Sequence, residues 1–246
     1  MEEPYSKVHL SFGQKILRIL RALKKSSIIE PKCALLQLKA NGQQNLKQTK
    51  INKKFIYLIS PNKIDNNSFY NNLALVLKSG KVNFFQLRLK KETNKNRLII
   101  GKKIKRICKK FKVNFLINDD PILAKKLNAD GCHLGQKDMD LIKARKILKN
   151  KIIGITCHNS INLAKRAIEA GADYLAFGAF YSSKTKMVKH KASLAVLKSA
   201  KKITSLPIVA IGGIKLNNYK KLLLNKANFL AISGYIWNNK KYKPLE

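Results

Sequence analysis

The sequence predicts an α/β protein built as a (β/α)8, or TIM, barrel, and three observations favour this fold class. The chain has 246 residues, a length that suits one large domain with an extension. From residue 54 onward, eight short runs of β-branched and aromatic residues alternate with segments of helical period. The runs are continuously apolar, as expected for parallel strands that helices cover from outside.

Each predicted strand opens the series or follows a helical segment. The strands are Phe55–Ser60, Phe84–Leu89, Asn114–Asn118, Gly131–Leu134, Ile152–Thr156, Tyr174–Phe177, Pro207–Ile211 and Phe229–Ser233. The predicted helices include Arg97–Phe111, Asp140–Lys149, Asn159–Ala170 and Asn217–Leu224. A doubly wound open sheet is the rival architecture, but it usually has fewer strands. The first strand is also not followed by the G-x-G-x-x-G pattern of such sheets.

The two ends of the chain differ from the barrel segment. We predict that residues 1–52 form a basic N-terminal extension and that residues 53–246 form the barrel domain. The extension contains one amphipathic helical candidate, Gln14–Lys25, followed by a polar linker. A basic amphipathic helix can bind a membrane or a partner, or pack on its own domain. Only residues 234–246 follow the eighth strand, a shortened C-terminal end whose bare barrel surface the extension is expected to cover.

The chain is strongly basic, with 51 Lys and Arg against 13 Asp and Glu and a formal net charge of +38. Such a charge is compatible with nucleic acid or an anionic membrane as a partner. However, Lys far outnumbers Arg, is spread along the whole chain and accompanies many Asn and Ile residues, a pattern typical of AT-rich coding. We therefore expect no specific nucleic-acid partner. No apolar run approaches the roughly 20 residues of a membrane-spanning helix.

The cysteines indicate a reducing compartment. Cys33, Cys108, Cys132 and Cys157 stand far apart, without a C-x-x-C pair. A disulfide framework or a zinc site is therefore not expected. The N-terminus also lacks the charged, apolar and small-residue regions of a secretory signal. The prediction is a cytoplasmic protein.

Polar side chains follow the carboxyl ends of the predicted strands, where barrel enzymes carry their reacting groups. Gln86, Arg88 and Lys90 lie on one side of the second strand, because side chains alternate along a strand. The other strand ends carry Asn118-Asp119-Asp120, Gly135-Gln136-Lys137-Asp138, Thr156, Ser182-Ser183-Lys184-Thr185-Lys186, Gly212-Gly213 and Ile232-Ser233.

These residue types suit phosphate chemistry. Arg88, Lys90 and Lys186 can converge on one polyanion, while Asp119 and Asp138 can hold Mg²⁺, which prefers one or two carboxylates plus phosphate oxygens and water. The predicted site therefore binds a diphosphate and a metal.

A second phosphate site is predicted after strands seven and eight, a recurrent position in these barrels. The Gly212-Gly213 turn and the hydroxyl of Ser233 offer it N–H and O–H donors.

Plainer interpretations exist for single residues. Asp119 alone could cap the helix that begins near Pro121, and a Gly-Gly pair is often only a turn. Cys157 and His158 are adjacent on a strand and point to opposite faces, so a catalytic dyad is not expected. His133 lies inside a strand, where a packed or supporting histidine is the expectation.

Taken together in order and spacing, these segments resemble the thiamine phosphate synthase family over about residues 54–237. The matching segments are Gln86–Lys90, Leu116–Asp119, Asp130–Asp138, Gly171–Tyr174, Ser183–Lys186 and Ala210–Ile214. The resemblance implies a transferase that joins hydroxymethylpyrimidine diphosphate to a thiazole phosphate, with Mg²⁺ as cofactor, and releases pyrophosphate.

The resemblance also implies roles for individual residues. Asp119 and Asp138 would bind the metal, and Arg88, Lys90 and Lys186 would neutralise the leaving pyrophosphate. The pyrimidine diphosphate would contact Gln86, Arg88, Lys90, Asn118, Thr156 and Lys186. The thiazole phosphate would contact Ser183, Lys184, Thr185, Gly213, Ile232 and Ser233.

The sequence departs from the family pattern at three positions near the predicted thiazole phosphate site. Ala179 and Ser182 stand where the family commonly has Pro, and Ser183 stands where Thr is usual. Two alternatives remain open at this point: a thiazole tautomerase on the same barrel, and a non-catalytic basic barrel that binds nucleic acid. The sequence is also compatible with a homo-oligomer.

Overall fold

The computed structural model describes residues 55–64, 67–183 and 191–238. Within these ranges the chain forms a closed barrel of eight parallel strands in the order β1 to β8, and β8 pairs with β1. This confirms the predicted (β/α)8 architecture and excludes the open doubly wound sheet.

Strands and helices alternate along the described ranges. The strands are β1 Ile56–Ile59, β2 Val82–Leu87, β3 Asn114–Asn118, β4 Gly131–Leu134, β5 Ile152–His158, β6 Tyr174–Gly178, β7 Ile208–Ile211 and β8 Phe229–Ile232. The helices are α1 Asn67–Lys78, α2 Asn94–Lys110, α3 Pro121–Lys126, α4 Leu141–Leu148, α5 Ile161–Glu169, α6 Leu194–Ile203, α7 Tyr219–Leu224 and α8 Gly234–Trp237. None of these helices has both the length and the apolar character needed to cross a membrane.

Helix caps explain where the predicted boundaries shift. Helix α2 begins three residues earlier than predicted, because the Thr93 hydroxyl accepts a hydrogen bond from the Asn96 N–H at 3.2 Å. Asp140 and Ser160 were predicted to be helical, but their side chains cap the first turns of α4 and α5 from outside. A capped N-terminus satisfies amide donors that have no partner within the helix.

The barrel has two apolar layers, one inside the strands and one between the strands and the helices. The inner layer comprises Tyr57, Ile59, Phe84, Leu116, Ile152, Tyr174, Ala176, Val209, Phe229 and Ala231. Along β2, Phe84 belongs to the inner layer and Phe85 to the outer one. Since side chains alternate, Gln86 and Arg88 share the inward side with Phe84 and stand nearer the carboxyl end of the barrel.

Several predictions fall outside the described residues. These are the extension over residues 1–52 with its helix at Gln14–Lys25, the polar linker, and everything after residue 238. The domain boundary, the shortened C-terminal end and the covering role of the extension therefore stay predictions. Within the described ranges, α8 is tied to the barrel because the Trp237 indole N–H donates to the Ile59 carbonyl at 2.6 Å.

Candidate active site

Two carboxylates and one ammonium group meet at the ends of β2, β3 and β4. The Lys90 Nζ lies 2.7 Å from Asp119 Oδ2, and the carboxyl group of Asp138 lies close enough to that of Asp119 for each to shift the pKa of the other. Asp138 is held in turn by the Gly135 N–H, which donates to its Oδ2 at 2.7 Å. The structure thus brings together the two predicted metal ligands, called the carboxylate pair below.

The carboxylate pair is electrostatically polarised. Burial opposes ionisation of Asp119, but its hydrogen bonds with Lys90 and Asp138 outweigh burial and lower its pKa. Burial and the neighbouring Asp119 raise the pKa of Asp138. Like charges at short range push the two pKa values apart, and a bound cation relieves that repulsion.

Asp119 is not the cap of the following helix. That role belongs to Asp120, whose Oδ1 accepts from the Leu123 N–H at 2.8 Å at the start of α3. Asp119 itself has a positive φ of 64°, and its backbone N–H donates to the His133 carbonyl at 2.8 Å. The capping interpretation of Asp119 was therefore wrong, and its carboxylate is available for the cluster with Lys90 and Asp138.

Polar groups on β2 and β3 extend the site inward from the carboxylate pair. The Gln86 side-chain amide donates to Asn118 Oδ1 at 2.6 Å, which joins two predicted pyrimidine diphosphate contacts. Arg88 donates through its guanidinium to Asn62 Oδ1 at 3.0 Å and through its backbone N–H to Ser60 Oγ at 2.9 Å. The loop after β1 therefore orients Arg88, a contribution that the sequence did not reveal.

Thr156 is held from two sides at the end of β5. The Gln136 side-chain amide donates to the Thr156 carbonyl at 2.5 Å, and His133 Nε2 lies 2.9 Å from the Thr156 hydroxyl. Burial, opposed by the charge of Asp119, lowers the pKa of His133 to about 4, so the ring is neutral at pH 7. His133 is thus a supporting histidine, as the sequence indicated.

The support of Thr156 continues across the barrel interior. His133 Nδ1 lies 2.8 Å from the Tyr174 hydroxyl, which lies 2.8 Å from the Tyr57 hydroxyl. We call these four side chains, Tyr57, Tyr174, His133 and Thr156, the hydroxyl relay. The sequence analysis gave Tyr57 and Tyr174 no role in the site. Two signals were available: both tyrosines lie in buried strands, and a glycine, Gly154, lies in the strand between those of His133 and Tyr174.

The predicted thiazole phosphate site lies at the turns after β7 and β8, where neighbouring backbone atoms pack closely. Gly212 and Gly213 have φ of 105° and 59°, and a Cβ on Gly213 would lie 2.3 Å from the Ser182 carbonyl oxygen. The Ser233 hydroxyl donates to the Ser60 carbonyl at 3.0 Å. The Ile232 side chain belongs to the outer apolar layer, so only its backbone can face a ligand at the barrel mouth.

Of the loop after β6, the described residues include Ser182 and Ser183, and Lys184, Thr185 and Lys186 lie outside them. The roles of these three residues stay predictions. Cys157 is buried, and burial raises the pKa of its thiol to about 12, which agrees with the rejection of a Cys157–His158 dyad.

The donor set at the carboxylate pair suits a hard divalent cation. Within the described ranges, no group of three or more His, Cys, Asp or Glu side chains is placed to bind a metal. Mg²⁺ usually binds through one or two carboxylates and completes its shell with water and phosphate oxygens. Asp119 and Asp138 provide those two carboxylates, and Lys90 already places a positive charge against them.

Comparison with known proteins gives a consistent result. A family model described as thiamine monophosphate synthase matches residues 56–236. The thiamine-phosphate synthase of Pelagibacter ubique (strain HTCC1062) is 84% identical over 201 residues, which cover 82% of this chain and 97% of that protein. The thiamine-phosphate synthase of Marinobacter nauticus is 47% identical over 157 residues, or 63% of this chain and 70% of that protein.

Solved structures agree with the sequence comparison. The thiamine phosphate pyrophosphorylase of Pyrococcus furiosus superposes with a TM-score of 0.65 at 27% identity, covering 74% of this chain and 87% of that one. A 3-hexulose-6-phosphate synthase, at 16% identity and a TM-score of 0.52, shares the fold.

Proposed function

The chain belongs to the thiamine monophosphate synthase family of transferases, and from that membership we propose its reaction. The enzyme transfers the hydroxymethylpyrimidine group from its diphosphate to a thiazole phosphate, giving thiamine phosphate and pyrophosphate. Mg²⁺ is the proposed cofactor. The reaction breaks the bond between the pyrimidine methylene carbon and the diphosphate oxygen and forms a bond from that carbon to the thiazole nitrogen.

One observation carries this proposal beyond family membership. Lys90, Asp119 and Asp138 form a single charged cluster at adjoining strand ends, beside the hydrogen-bonded pair of buried Gln86 and half-buried Asn118. A metal next to polar amides and cationic side chains is the arrangement that a diphosphate leaving group requires. A tautomerase on the same barrel has no need of the carboxylate pair, so this cluster favours the synthase.

The metal is proposed to bind Asp119 and Asp138. When bound, it would neutralise charge that develops on the departing pyrophosphate. Arg88, oriented by the loop after β1, adds positive charge around the same group, and Lys90 and Lys186 are further proposed contacts. Preorganised charges of this kind are effective because they need no rearrangement during the reaction.

The remaining residues are proposed to orient the two substrates. Thr156 contacts the pyrimidine through its hydroxyl, while Gln86 and Asn118 line the approach to the diphosphate. Ser183, Lys184, Thr185, Gly213, Ile232 and Ser233 are the proposed contacts of the thiazole phosphate. The thiazole nitrogen attacks through its lone pair and carries no proton, so bond formation needs no general base. The neutral His133 is consistent with this, and orientation supplies the remaining rate enhancement.

We propose the cytoplasm as the compartment of this reaction. Cys108, Cys132 and Cys157 are buried free thiols, as expected in a reducing environment. The proposed partners are the two small-molecule substrates.

The proposal is tested by supplying purified protein with both precursors and measuring pyrophosphate and thiamine phosphate, with Mg²⁺ and with EDTA. We expect both products with Mg²⁺ and neither with EDTA. Equal product in EDTA would overturn the metal assignment. Folded protein that forms no product with Mg²⁺ would overturn the synthase proposal and direct attention to tautomerase activity. Salt-sensitive nucleic-acid binding would be measured next.

A further inference from the structure

The hydroxyl relay crosses the barrel interior from β1 to the candidate site. Its three consecutive contacts are Tyr57 to Tyr174 at 2.8 Å, Tyr174 to His133 Nδ1 at 2.8 Å, and His133 Nε2 to Thr156 Oγ1 at 2.9 Å. Tyr57 is 1% exposed and Tyr174 is fully buried. The relay therefore ends in the apolar interior at Tyr57 and reaches the site at Thr156.

The buried end sets the direction of every hydrogen bond in the relay. The Tyr57 hydroxyl keeps its proton, because burial raises its pKa. Within the described residues, its hydrogen-bond partner is the Tyr174 hydroxyl. An O–H hydrogen left without an acceptor in an apolar interior is costly, so Tyr57 donates to Tyr174.

The hydroxyl of Tyr174 and the ring of His133 must meet the same requirement for paired donors and acceptors. Tyr174 accepts from Tyr57, so its own single hydrogen needs another acceptor, and His133 Nδ1 at 2.8 Å is the one that the described residues provide. Nδ1 must then be unprotonated. A neutral imidazole with a bare Nδ1 carries its hydrogen on Nε2 and donates it to Thr156 Oγ1. Thr156 thus accepts from His133, and its own hydroxyl hydrogen is left to donate elsewhere.

We propose that Tyr174 and His133, with Tyr57 at the buried end of their relay, are positioning residues that commit the Thr156 hydroxyl to donate its hydrogen to an acceptor atom of the pyrimidine substrate. The inference rests on the proposed function, because it assigns the pyrimidine to Thr156. Its consequence is specificity: a pyrimidine that presents an acceptor at this point satisfies the Thr156 hydrogen, whereas one that presents only a donor leaves that hydrogen without an acceptor.

The sequence makes room for the relay at one glycine. Across β4, β5 and β6, Gly154 pairs with His133 on one side and with Tyr174 on the other. A Cβ on Gly154 would lie 1.8 Å from Cζ of Tyr174, the carbon that carries the hydroxyl. The absence of a side chain at Gly154 lets the Tyr174 ring reach across β5 and stack with His133 at 5.6 Å between ring centroids.

The direction of the relay is tested in the free protein by ¹⁵N NMR after labelling of histidine. The His133 signals are assigned as those lost in the His133→Gln variant. We expect the Nε2–H tautomer, with the chemical shift of Nδ1 typical of an unprotonated nitrogen. The Nδ1–H tautomer would overturn the proposal. This measurement needs no substrate, so its result stands even where the proposed synthase activity fails.

The action of the relay through Thr156 is tested by a double-mutant cycle on the KM for pyrimidine diphosphate. We expect Tyr174→Phe to raise this KM about fivefold, the scale of one hydrogen bond, and to leave the KM for thiazole phosphate unchanged. In the Thr156→Val background, Tyr174→Phe should have no further effect, whereas Thr156→Ser should retain the sensitivity to Tyr174→Phe.

Equal effects of Tyr174→Phe in the presence and absence of the Thr156 hydroxyl would mean a packing role only and would overturn the proposal. Tyr57→Phe is the matched control for a folding defect in the Tyr174 variant, because it also removes one buried hydroxyl and keeps the ring. With the Tyr57 hydroxyl removed, Tyr174 becomes the buried end and its hydrogen still has His133 Nδ1 as its acceptor. We therefore expect the single Nε2–H tautomer to persist in Tyr57→Phe, and a change to the Nδ1–H tautomer would overturn the assigned direction.

Discussion

The ammonium nitrogen of Lys90 lies 2.7 Å from a carboxylate oxygen of Asp119, although 52% of the Lys90 side chain is exposed to solvent. An exposed ion pair of this kind contributes little to stability. Its importance is that it places a positive charge beside the carboxylate pair. In the free protein Lys90 compensates the carboxylate pair, and in the proposed reaction it can turn to the diphosphate when a metal takes over that compensation.

Replacement of Lys90 separates these two roles. We expect Lys90→Met to tighten Mn²⁺ or Mg²⁺ binding to the free protein by about two- to fivefold, since a competing unit charge is removed from a partly solvated site. Turnover should fall, because one contact of the leaving group is lost. The exposed neighbour Lys91 provides the control, as Lys91→Met should change neither quantity. Calorimetric titration with the metal gives the affinity, and weaker binding in Lys90→Met would contradict the competition.

Adjacent aspartates at the end of β3 have different roles and should respond oppositely to mutation. Asp119→Asn should lower Mg²⁺-dependent turnover by about 100-fold or more, since a proposed metal ligand is lost, with little change in thermal stability. Asp120→Ala should leave turnover intact but cost about 1 kcal/mol of unfolding free energy, because it removes the cap of α3. Steady-state rates and urea unfolding of both variants check this, and wild-type turnover of Asp119→Asn would refute the metal assignment.

The sequence predicted the barrel and the polar strand ends because both follow from local pattern. Apolar runs separated by helical segments specify parallel strands, and the position of a residue at a strand end places it at the barrel mouth. Gln86, Asn118 and Asp119 were found in this way, and the structure brings them together. Contacts between segments that are distant in the chain have no periodic pattern in the sequence. The Asn62–Arg88 and Gln136–Thr156 hydrogen bonds depend on loop paths that periodicity does not encode.

The sequence left two roles open for Asp119, a metal ligand or the cap of the following helix. Asp119 and Asp120 have identical side chains but different backbone conformations. Asp119 has a positive φ and its carboxylate faces the site, whereas the carboxylate of Asp120 caps α3. Likewise, strand alternation predicts that the side chains of Tyr57 and Tyr174 point into the barrel. Their contact with each other depends on the closure of the barrel, which brings β1 and β6 to face the same interior.

The turn after β7 should be sensitive to a single methyl group. Gly213→Ala places a Cβ 2.3 Å from the Ser182 carbonyl oxygen at a φ of +59°, so the turn and the loop after β6 must separate. We expect a destabilisation of about 1–3 kcal/mol and a higher KM for thiazole phosphate than for the wild type, with the KM for pyrimidine diphosphate little changed. Gly171→Ala is a matched control, because Gly171 also has a positive φ of 83° but has no atom within 4 Å of the point that a Cβ would occupy. Equal losses in the two variants would show that backbone strain alone, rather than the contact with Ser182, governs the turn.

Burial of His133 makes the stability of the protein depend on pH in a defined window. The folded-state pKa of His133, about 4, lies below the ordinary value of 6.5. Between these two pH values the histidine is protonated in the unfolded chain but neutral in the folded protein. The contribution of neutral His133 to stability is complete above its pKa in the unfolded chain and is lost as the pH falls toward its pKa in the folded protein. Between about pH 7.5 and about pH 5 the loss attributable to His133 is about 2 kcal/mol.

His133→Gln isolates this contribution, since glutamine keeps a donor beside Thr156 but does not titrate. Carboxylates protonate in both proteins over this range and cancel in the difference. Urea unfolding followed by circular dichroism should give the wild type a steeper decline in unfolding free energy on acidification than His133→Gln. Parallel curves for the two proteins would mean that the His133 ring is hydrated enough to accept a proton in the folded state, and that the relay is open to solvent.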